Sequence, residues 1–286
     1  MTLADLVQQA CARLDQAGVC FGHGTLNAYD EAAWLVLWRL GLPLDGLDDH
    51  AEDPVPADRV LAVQAFIEER IATRRPAAYL TGEAWLQGVP FNVDERVIVP
   101  RSLIAEVLAE GLIDAWFPEP PGRVLDLCTG NGSLAVLAAM AWPQALVTAT
   151  DLSLDALIVA QRNVERHRLA QRIALRQGDG LAAAPGRHQL ILCNPPYVNR
   201  DSMQALPPEY RAEPALALDG GDDGMDFVRG LLAQVPQHLA DDGVLVLEIG
   251  HERAHFEAAF PALEPVWLPT SAGDDQVLLL PRQSWP

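Results

Sequence analysis

The sequence predicts an α/β fold: a mostly parallel sheet with a C-terminal antiparallel hairpin, preceded by a small N-terminal helical domain. Three observations carry this. From residue 122 onward, short apolar strands alternate with helical segments, the order that builds a parallel sheet with helices on both faces. Residues 1 to about 75 instead show helical periodicity. A glycine turn, Thr129-Gly130-Asn131-Gly132-Ser133, joins the first strand of the alternating region to its first helix. With 286 residues, half of them hydrophobic, the chain has material for about two domains.

Leu3, Leu6, Val7, Ala10 and Leu14 recur at helical spacing. Trp34, Leu35, Leu37 and Trp38 cluster in a second helical segment that stops at the Gly41–Pro43 turn. An acidic, proline-bearing loop over 43–56 follows. Val60, Leu61, Ile67 and Ile71 mark a third helix, which Pro76 ends. Over 84–100, Phe91, Val93, Val97 and Val99 are separated by polar residues or turn signals, which predicts a hairpin linking two domains. A helix over 102–117 closes at Pro118, Pro120 and Pro121. The strand Arg123–Cys128 leads into a helix over Asn131–Trp142. The strand Ala145–Asp151 leads into a helix over Ser153–His167, with Ser153 as its N-cap. Arg172–Arg176 and Gln189–Cys193 read as further strands, and Asp242 and Gly243 turn the chain into Val244–Ile249. Val266–Leu268 and Gln276–Leu280, around Gly273, form the last hairpin. The expected domains are 1–83 (helical), 84–100 (linker hairpin) and 101–286.

Lys and Arg number 20 against 39 Asp and Glu, a net charge of −19. That balance argues against gripping phosphate backbones with the whole surface and favours a basic partner or a small molecule. No apolar run reaches the ~18 residues of a membrane span, and the start, MTLADLVQQA, lacks the pattern of a secretory signal. Cys11, Cys20, Cys128 and Cys193 form no CxxC pair. Reduced thiols in a cytoplasmic protein, without a structural zinc, are the expectation.

In the turn after Cys128, glycines permit a tight bend and let a ligand approach without a Cβ in the way. The helix start adds unpaired N–H groups. Asp151 ends the next strand roughly 20 residues on, where an acidic side chain accepts ribose hydroxyls. Gly130-x-Gly132-x-x-Ala135 fits NAD as well. Asp126 tilts the choice. A carboxylate in the strand end would repel a pyrophosphate, but suits an amino group or a sulfonium. S-adenosylmethionine carries both. The plainer alternative is that Asp126 caps the loop.

The fourth strand, QLILC, ends in Asn194-Pro195-Pro196-Tyr197. Prolines cannot donate backbone hydrogen bonds and stiffen the chain, so the loop offers carbonyl acceptors. The Asn194 side-chain oxygen adds another. Paired acceptors suit an NH2 group, and Tyr197 offers a flat face to a planar one.

Seven stretches carry a likeness over nearly the whole chain: GHGTLNAYDEA (22–32), AAYLTGEAW (77–85), FNVDERVIVPRS (91–102), VLDLCTGNGS (124–133), NPPYV (194–198), EPALALDGGDDGMDF (213–227) and VLVLEIG (244–250). On them the sequence resembles the class I, Rossmann-like S-adenosylmethionine-dependent methyltransferases of planar amino groups. Within these it resembles the protein glutamine methyltransferases, most closely the branch acting on the third protein of the large ribosomal subunit. Cys128 in DLCTG, PRS at 100–102 and GHGT separate it from the sister branch, which modifies release factors.

The resemblance implies a cofactor site of Asp126, Cys128, Thr129, Gly130, Asn131, Gly132, Asp151 and Leu152, with Asp179 near the adenine and Asn194 bordering cofactor and substrate. It places Asn194, Pro195, Pro196, Tyr197 and Arg101 at the substrate, with Asn194, Pro195 and Tyr197 catalytic, and Glu213 and Gly220–Gly224 shaping the groove. It implies a basic ribosomal protein as partner; the apolar runs, the charge of −19 and the cysteine spacing add the expectation of no membrane, no direct nucleic-acid substrate and no metal. The sister branch has an aromatic residue after the aspartate at 179. Here Gly180 follows, so another residue must cover the adenine.

His251-Glu252-Arg253-Ala254-His255 spells HExxH, but His251 directly follows Gly250 at a strand end, which suits a surface helix start better than a zinc site. Cys128 and Cys193 are expected to be small buried hydrophobes at neighbouring strand tips, and His23 to be structural. Arg101 is as well suited to an ion pair as to a substrate. An adenine or guanine amino-methyltransferase, with the base flipped into the pocket, fits the same loop; the charge of −19 and the lack of a basic stripe disfavour it. An inactive binding module is disfavoured by the intact Asp126, Asp151 and Asn194.

Overall fold

A computed structural model describes residues 1–285. The chain forms two compact units. One comprises Met1–Ala84 with the distant segment Pro207–Ala212; the other comprises Trp85–Leu206 and the chain from Glu213 onward.

The first unit is helical: α1 (Leu3–Gln16), α2 (Ala28–Leu40), α3 (Leu47–His50), α4 (Ala57–Thr73) and α5 (Ala77–Thr81). Thr2 opens α1 with a reciprocal cap, its hydroxyl accepting from Asp5 N and its N–H donating to the Asp5 carboxylate. The apolar stripes of α1, α2 and α4 close on one another through Leu6, Leu14, Leu35, Val36, Val63 and Ile67. Arg70 and Glu31 are fully buried among them. Arg70 donates to Glu31 at 2.9 Å and to the Cys20 carbonyl at 3.1 Å. Glu209, on the inserted segment, lies 3.6 Å from Arg70, accepts from Arg74 at 3.2 Å and from Cys20 N at 3.1 Å. Tyr210 sets its ring 4.3 Å from that of His23. A division of the chain at one linear boundary misplaces residues 207–212, because nothing local in the sequence marks such an excursion.

The hairpin is tighter than expected: β1 (Glu83–Leu86) and β2 (Val89–Asn92). Val97 and Val99 are buried outside any strand. The expected helix over 102–117 is cut to α6 (Ile104–Ala109), because the chain turns at Gly111, φ +63°. A seven-stranded sheet follows, built from β3 (Arg123–Leu127), β4 (Leu146–Asp151), β5 (Ile173–Gln177), β6 (His188–Cys193), β7 (Leu239–Glu248), β8 (Val266–Thr270) and β9 (Gly273–Pro281). Their order is β5-β4-β3-β6-β7-β9-β8, with β9 antiparallel to both neighbours and the remaining pairings parallel. Intervening helices are α7 (Ser133–Ala141), α8 (Leu154–Arg166), α9 (Arg200–Ala205), α10 (Asp226–His238) and α11 (Arg253–Ala259).

Strand alternation produces two cores. Val124, Leu190, Leu192, Val244, Val246, Val277 and Leu279 point to one face, and Leu125, Leu127, Ile191, Cys193, Leu245, Leu247 and Leu278 to the other. Strand β7 begins five residues before the expected start. Its pairing jumps from His188–Leu239 to Leu190–Val244, so residues 240–243 bulge. Gly243 is needed there, since a Cβ would lie 2.8 Å from the His188 carbonyl oxygen. Among the described residues, no helix is long and apolar enough to cross a membrane.

Candidate active site

The C-terminal tips of β6, β3, β4 and β5 lie side by side, and a cleft runs across them. Cys128, Gly130, Asp151, Leu152, Asp179, Asn194 and Pro196 line it. The order reversal between β3 and β6 makes this the crevice where ligands bind in open parallel sheets.

The turn after β3 is held from several sides. Asp151 accepts from Gly130 N and Ser153 N, both at 2.9 Å, one at each carboxylate oxygen. A carboxylate has about four acceptor sites, so Asp151 retains capacity for a pair of hydroxyls. Burial raises its pKa, and these backbone amides oppose the rise. A Cβ on Gly130 would meet no atom within 4 Å, so its backbone is bare toward the cleft. Gly132 instead allows close packing of the turn against α8, where a Cβ would lie 3.1 Å from that of Ala160. Asn163 supports the turn from below, donating to the Asn131 carbonyl at 2.8 Å. Cys128 takes φ +56°, and burial and the adjacent Cys128 thiol raise the pKa of Cys193.

Asp126 is placed differently from the sequence expectation. It is fully buried beneath the turn and does not line the cleft. Its Oδ2 accepts from the Thr129 hydroxyl at 2.5 Å and from Ala135 N, in the first turn of α7, at 3.0 Å. Burial raises its pKa to about 7. Through Oδ2 the carboxylate caps the loop from within, while its buried Oδ1 has no hydrogen-bond partner among the described residues. Thr129, Asn131 and Gly132 likewise shape the turn without lining the cleft.

The Asn-Pro-Pro-Tyr loop divides between cleft and support. Asn194 and Pro196 face the cleft. Tyr197 does not, and is instead packed hard: a Cβ on Gly250 would lie 2.5 Å from its Cε2, and one on Gly220 2.7 Å from its Cα. Gly224 is as close to the Tyr197 carbonyl. The Tyr197 hydroxyl donates to buried Glu248, and Asn199 donates to Glu252 at 2.7 Å. Glu252, from the HExxH stretch, also contacts His255 Nδ1 at 2.5 Å, so it anchors this loop. Arg101 is committed to Glu213, donating through both terminal nitrogens at 2.6 and 2.7 Å, and does not line the cleft. Its substrate role is replaced by an ion pair that fixes the strap before α6.

Sequence reasoning missed Thr150 and Phe227. Thr150 lines the cleft, and its buried Oγ1 has no hydrogen-bond partner among the described residues. An unmatched polar atom beside Asp151 and a bare glycine backbone fits a ribosyl ligand. Phe227 stands at the start of α10.

Sheet, turn and cleft together define an S-adenosylmethionine-dependent methyltransferase domain. The family model described as the methyltransferase small domain matches residues 105–206, and that of the PrmC N-terminal domain matches 5–82. A ribosomal protein uL3 glutamine methyltransferase of Bordetella pertussis is 57% identical over 99% of this chain and 95% of its own. A protein of the same name from Burkholderia pseudomallei is 53% identical over 100% of this chain and 96% of its own. The chain belongs to the family of ribosomal protein uL3 glutamine methyltransferases. The fold alone is shared with a methyltransferase structure from Pyrococcus furiosus: TM-score 0.50, 19% identity, 69% of this chain and 90% of that one.

Proposed function

We propose that the protein transfers a methyl group from S-adenosylmethionine to the side-chain amide nitrogen of a glutamine in ribosomal protein uL3. The observation that carries this is the position of Asn194, which lines the same cleft as Asp151 and Gly130. The name and full-length likeness of the relatives support it, and the net charge of −19 suits a basic ribosomal substrate. The reaction belongs to the cytoplasm, where ribosomal proteins are made.

The bound cofactor supplies a methyl carbon activated by a sulfonium. The chain supplies the rest. An amide nitrogen is a weak nucleophile, because its lone pair is delocalised into the carbonyl. Asn194 Oδ1 and the Pro195 carbonyl accept its two N–H bonds and return electron density to nitrogen. As the nitrogen takes the methyl, the carbon–sulfur bond would break to leave a thioether; positive charge develops on nitrogen, the same bonds strengthen and favour the transition state over the ground state, and the cationic nitrogen then gives one proton to water. Tyr197, packed against Gly250 and tied to Glu248, braces the loop that carries these acceptors. The proline pair holds these acceptors rigid, which lowers the cost of alignment. Asp151 takes the ribose, and Cys128 and Gly130, the residues of the turn that line the cleft, take the amino-acid arm. The helical unit is assigned to substrate recognition, since the loop engages a single side chain.

The test is incubation with methyl-labelled S-adenosylmethionine and ribosomal proteins and RNA from cells lacking the enzyme. Label is expected on a glutamine of one large-subunit protein, located by mass spectrometry. Label in RNA would overturn the reading. Asn194→Ala should abolish transfer while retaining part of the affinity for S-adenosylhomocysteine; near-normal turnover in that variant would sink the mechanism.

A further inference from the structure

We propose that Phe227, the second residue of α10, is the platform on which the adenine of the cofactor stacks, replacing a side chain that Gly180 does not have. This rests on S-adenosylmethionine being the cofactor.

The strand order fixes where the base lies. Asn194 is at the β6 tip, Cys128–Gly130 follow β3, Asp151 is at the β4 tip, and Asp179 and Gly180 lie beyond β5. The methyl end of the cofactor belongs beside Asn194, and the acidic residue at the β4 tip takes the ribose. The adenine lies on the far side of the ribose from the sulfur, so it falls at the β5 tip. Gly180 there has φ +50° and contributes bare backbone; a Cβ would stand 3.9 Å from both Cε2 and Cζ of Phe227. Helix α10 packs against the short turn Gly180–Ala183, which brings the ring to this end of the cleft. Phe227 is the one aromatic residue among the described residues lining the cleft.

The ring is half-buried. It is backed by the core containing Leu181, Val228 and Leu231, and still borders the cleft. An aromatic side chain held from behind is a stacking surface, and every base has a π-face to offer. Leu152, exposed at the same cleft, adds apolar surface. Stacking is tolerant of base identity, and Asp179 lines the same end of the cleft.

The test is equilibrium titration of S-adenosylhomocysteine by calorimetry. Binding by the wild type is the control for the cofactor reading, and its absence would remove that reading and this proposal with it. Phe227→Ala is expected to weaken binding roughly ten- to hundred-fold. Phe227→Leu, which keeps apolar bulk if the alanine variant fails to fold, should weaken it several-fold. Adenosine, which lacks the amino-acid arm, should lose affinity by the same factor. Phe227→Trp should bind, with ligand-dependent fluorescence quenching beyond that of the wild type. Wild-type affinity in folded Phe227→Leu, or no added quenching in Phe227→Trp, would overturn the proposal and leave the cofactor reading standing.

Discussion

The Tyr197 hydroxyl donates to Glu248 Oε1 at 3.2 Å, while Glu248 Oε2 accepts from the Ser102 hydroxyl at 2.6 Å and from Leu103 N at 2.9 Å. One buried carboxylate therefore ties the Asn-Pro-Pro-Tyr loop to the start of α6. Burial raises the pKa of Glu248, and these hydrogen bonds oppose the rise. With its hydroxyl engaged by Glu248 and its ring packed against Gly250, Tyr197 fixes the loop from two sides.

The phenol oxygen should accordingly matter less than the ring. Tyr197→Phe is expected to lower kcat less than about ten-fold, the scale of one lost hydrogen bond. Tyr197→Ala should lower it by at least ~100-fold, the range of a lost positioning contact. Neither should change affinity for S-adenosylhomocysteine more than about two-fold, as Tyr197 does not line the cleft. Steady-state kinetics beside calorimetry separates these; equal losses for Phe and Ala would contradict the assignment.

Asp126 predicts a pH dependence of stability. Its folded pKa is about 7 and its ordinary value 3.8. Between those values the unfolded chain has shed a proton that the folded chain keeps. Its contribution is therefore full below about pH 4, declines as pH rises toward 7, and is flat above. Asp126→Asn mimics the protonated acid and removes this dependence. Urea unfolding at pH 5 and pH 8 should show a larger drop for the wild type than for Asp126→Asn, on the order of one to a few kcal/mol. Identical drops would mean that Asp126 is ionised throughout.

Cys128 occupies left-handed backbone without being glycine. Cys128→Gly and Cys128→Ala both delete the contact with Cys193, so their difference isolates backbone strain. The glycine variant should be the more stable by about 1 kcal/mol, measured by denaturant midpoints. An alanine variant as stable as glycine would show that the turn relaxes to hold a Cβ at no cost.

The buried cluster of the helical unit should be sensitive to charge loss. Glu209→Ala leaves Arg74 and one side of Arg70 uncompensated, and should destabilise by about 3–5 kcal/mol, read from urea unfolding. Glu209→Gln, which keeps an acceptor, should cost less. A near-neutral Glu209→Ala would show that Glu31 alone satisfies Arg70.

Much of the catalytic unit is legible in the sequence because apolar strands end where polar turns begin. Asp151, Gly130 and Asn194 each sit at such an ending, so their meeting along one sheet edge follows from parallel order. Helix α10 escapes notice although Val228, Leu231, Leu232 and Val235 have helical spacing; the preceding glycine run draws attention to loop chemistry. Phe227 is illegible because its place in the cleft depends on how α10 packs. Asp126 misleads because its charge invites a ligand, whereas the hydrogen bonds it makes go to the turn and to the start of α7. Arg101 is ambiguous because its partner, Glu213, is remote in sequence. The shortened α6 is signalled by Gly111, which a longer helix would have to absorb.

The six residues Pro207–Ala212 are threaded into a body otherwise formed by the first 84. A gene fragment ending after the hairpin would thus encode Arg70, Arg74 and Glu31 but not Glu209, the carboxylate that faces both arginines, and is a poor candidate for independent expression. Exchanging the helical unit between relatives would require replacing two separate segments, cut at the three places where the polypeptide crosses over.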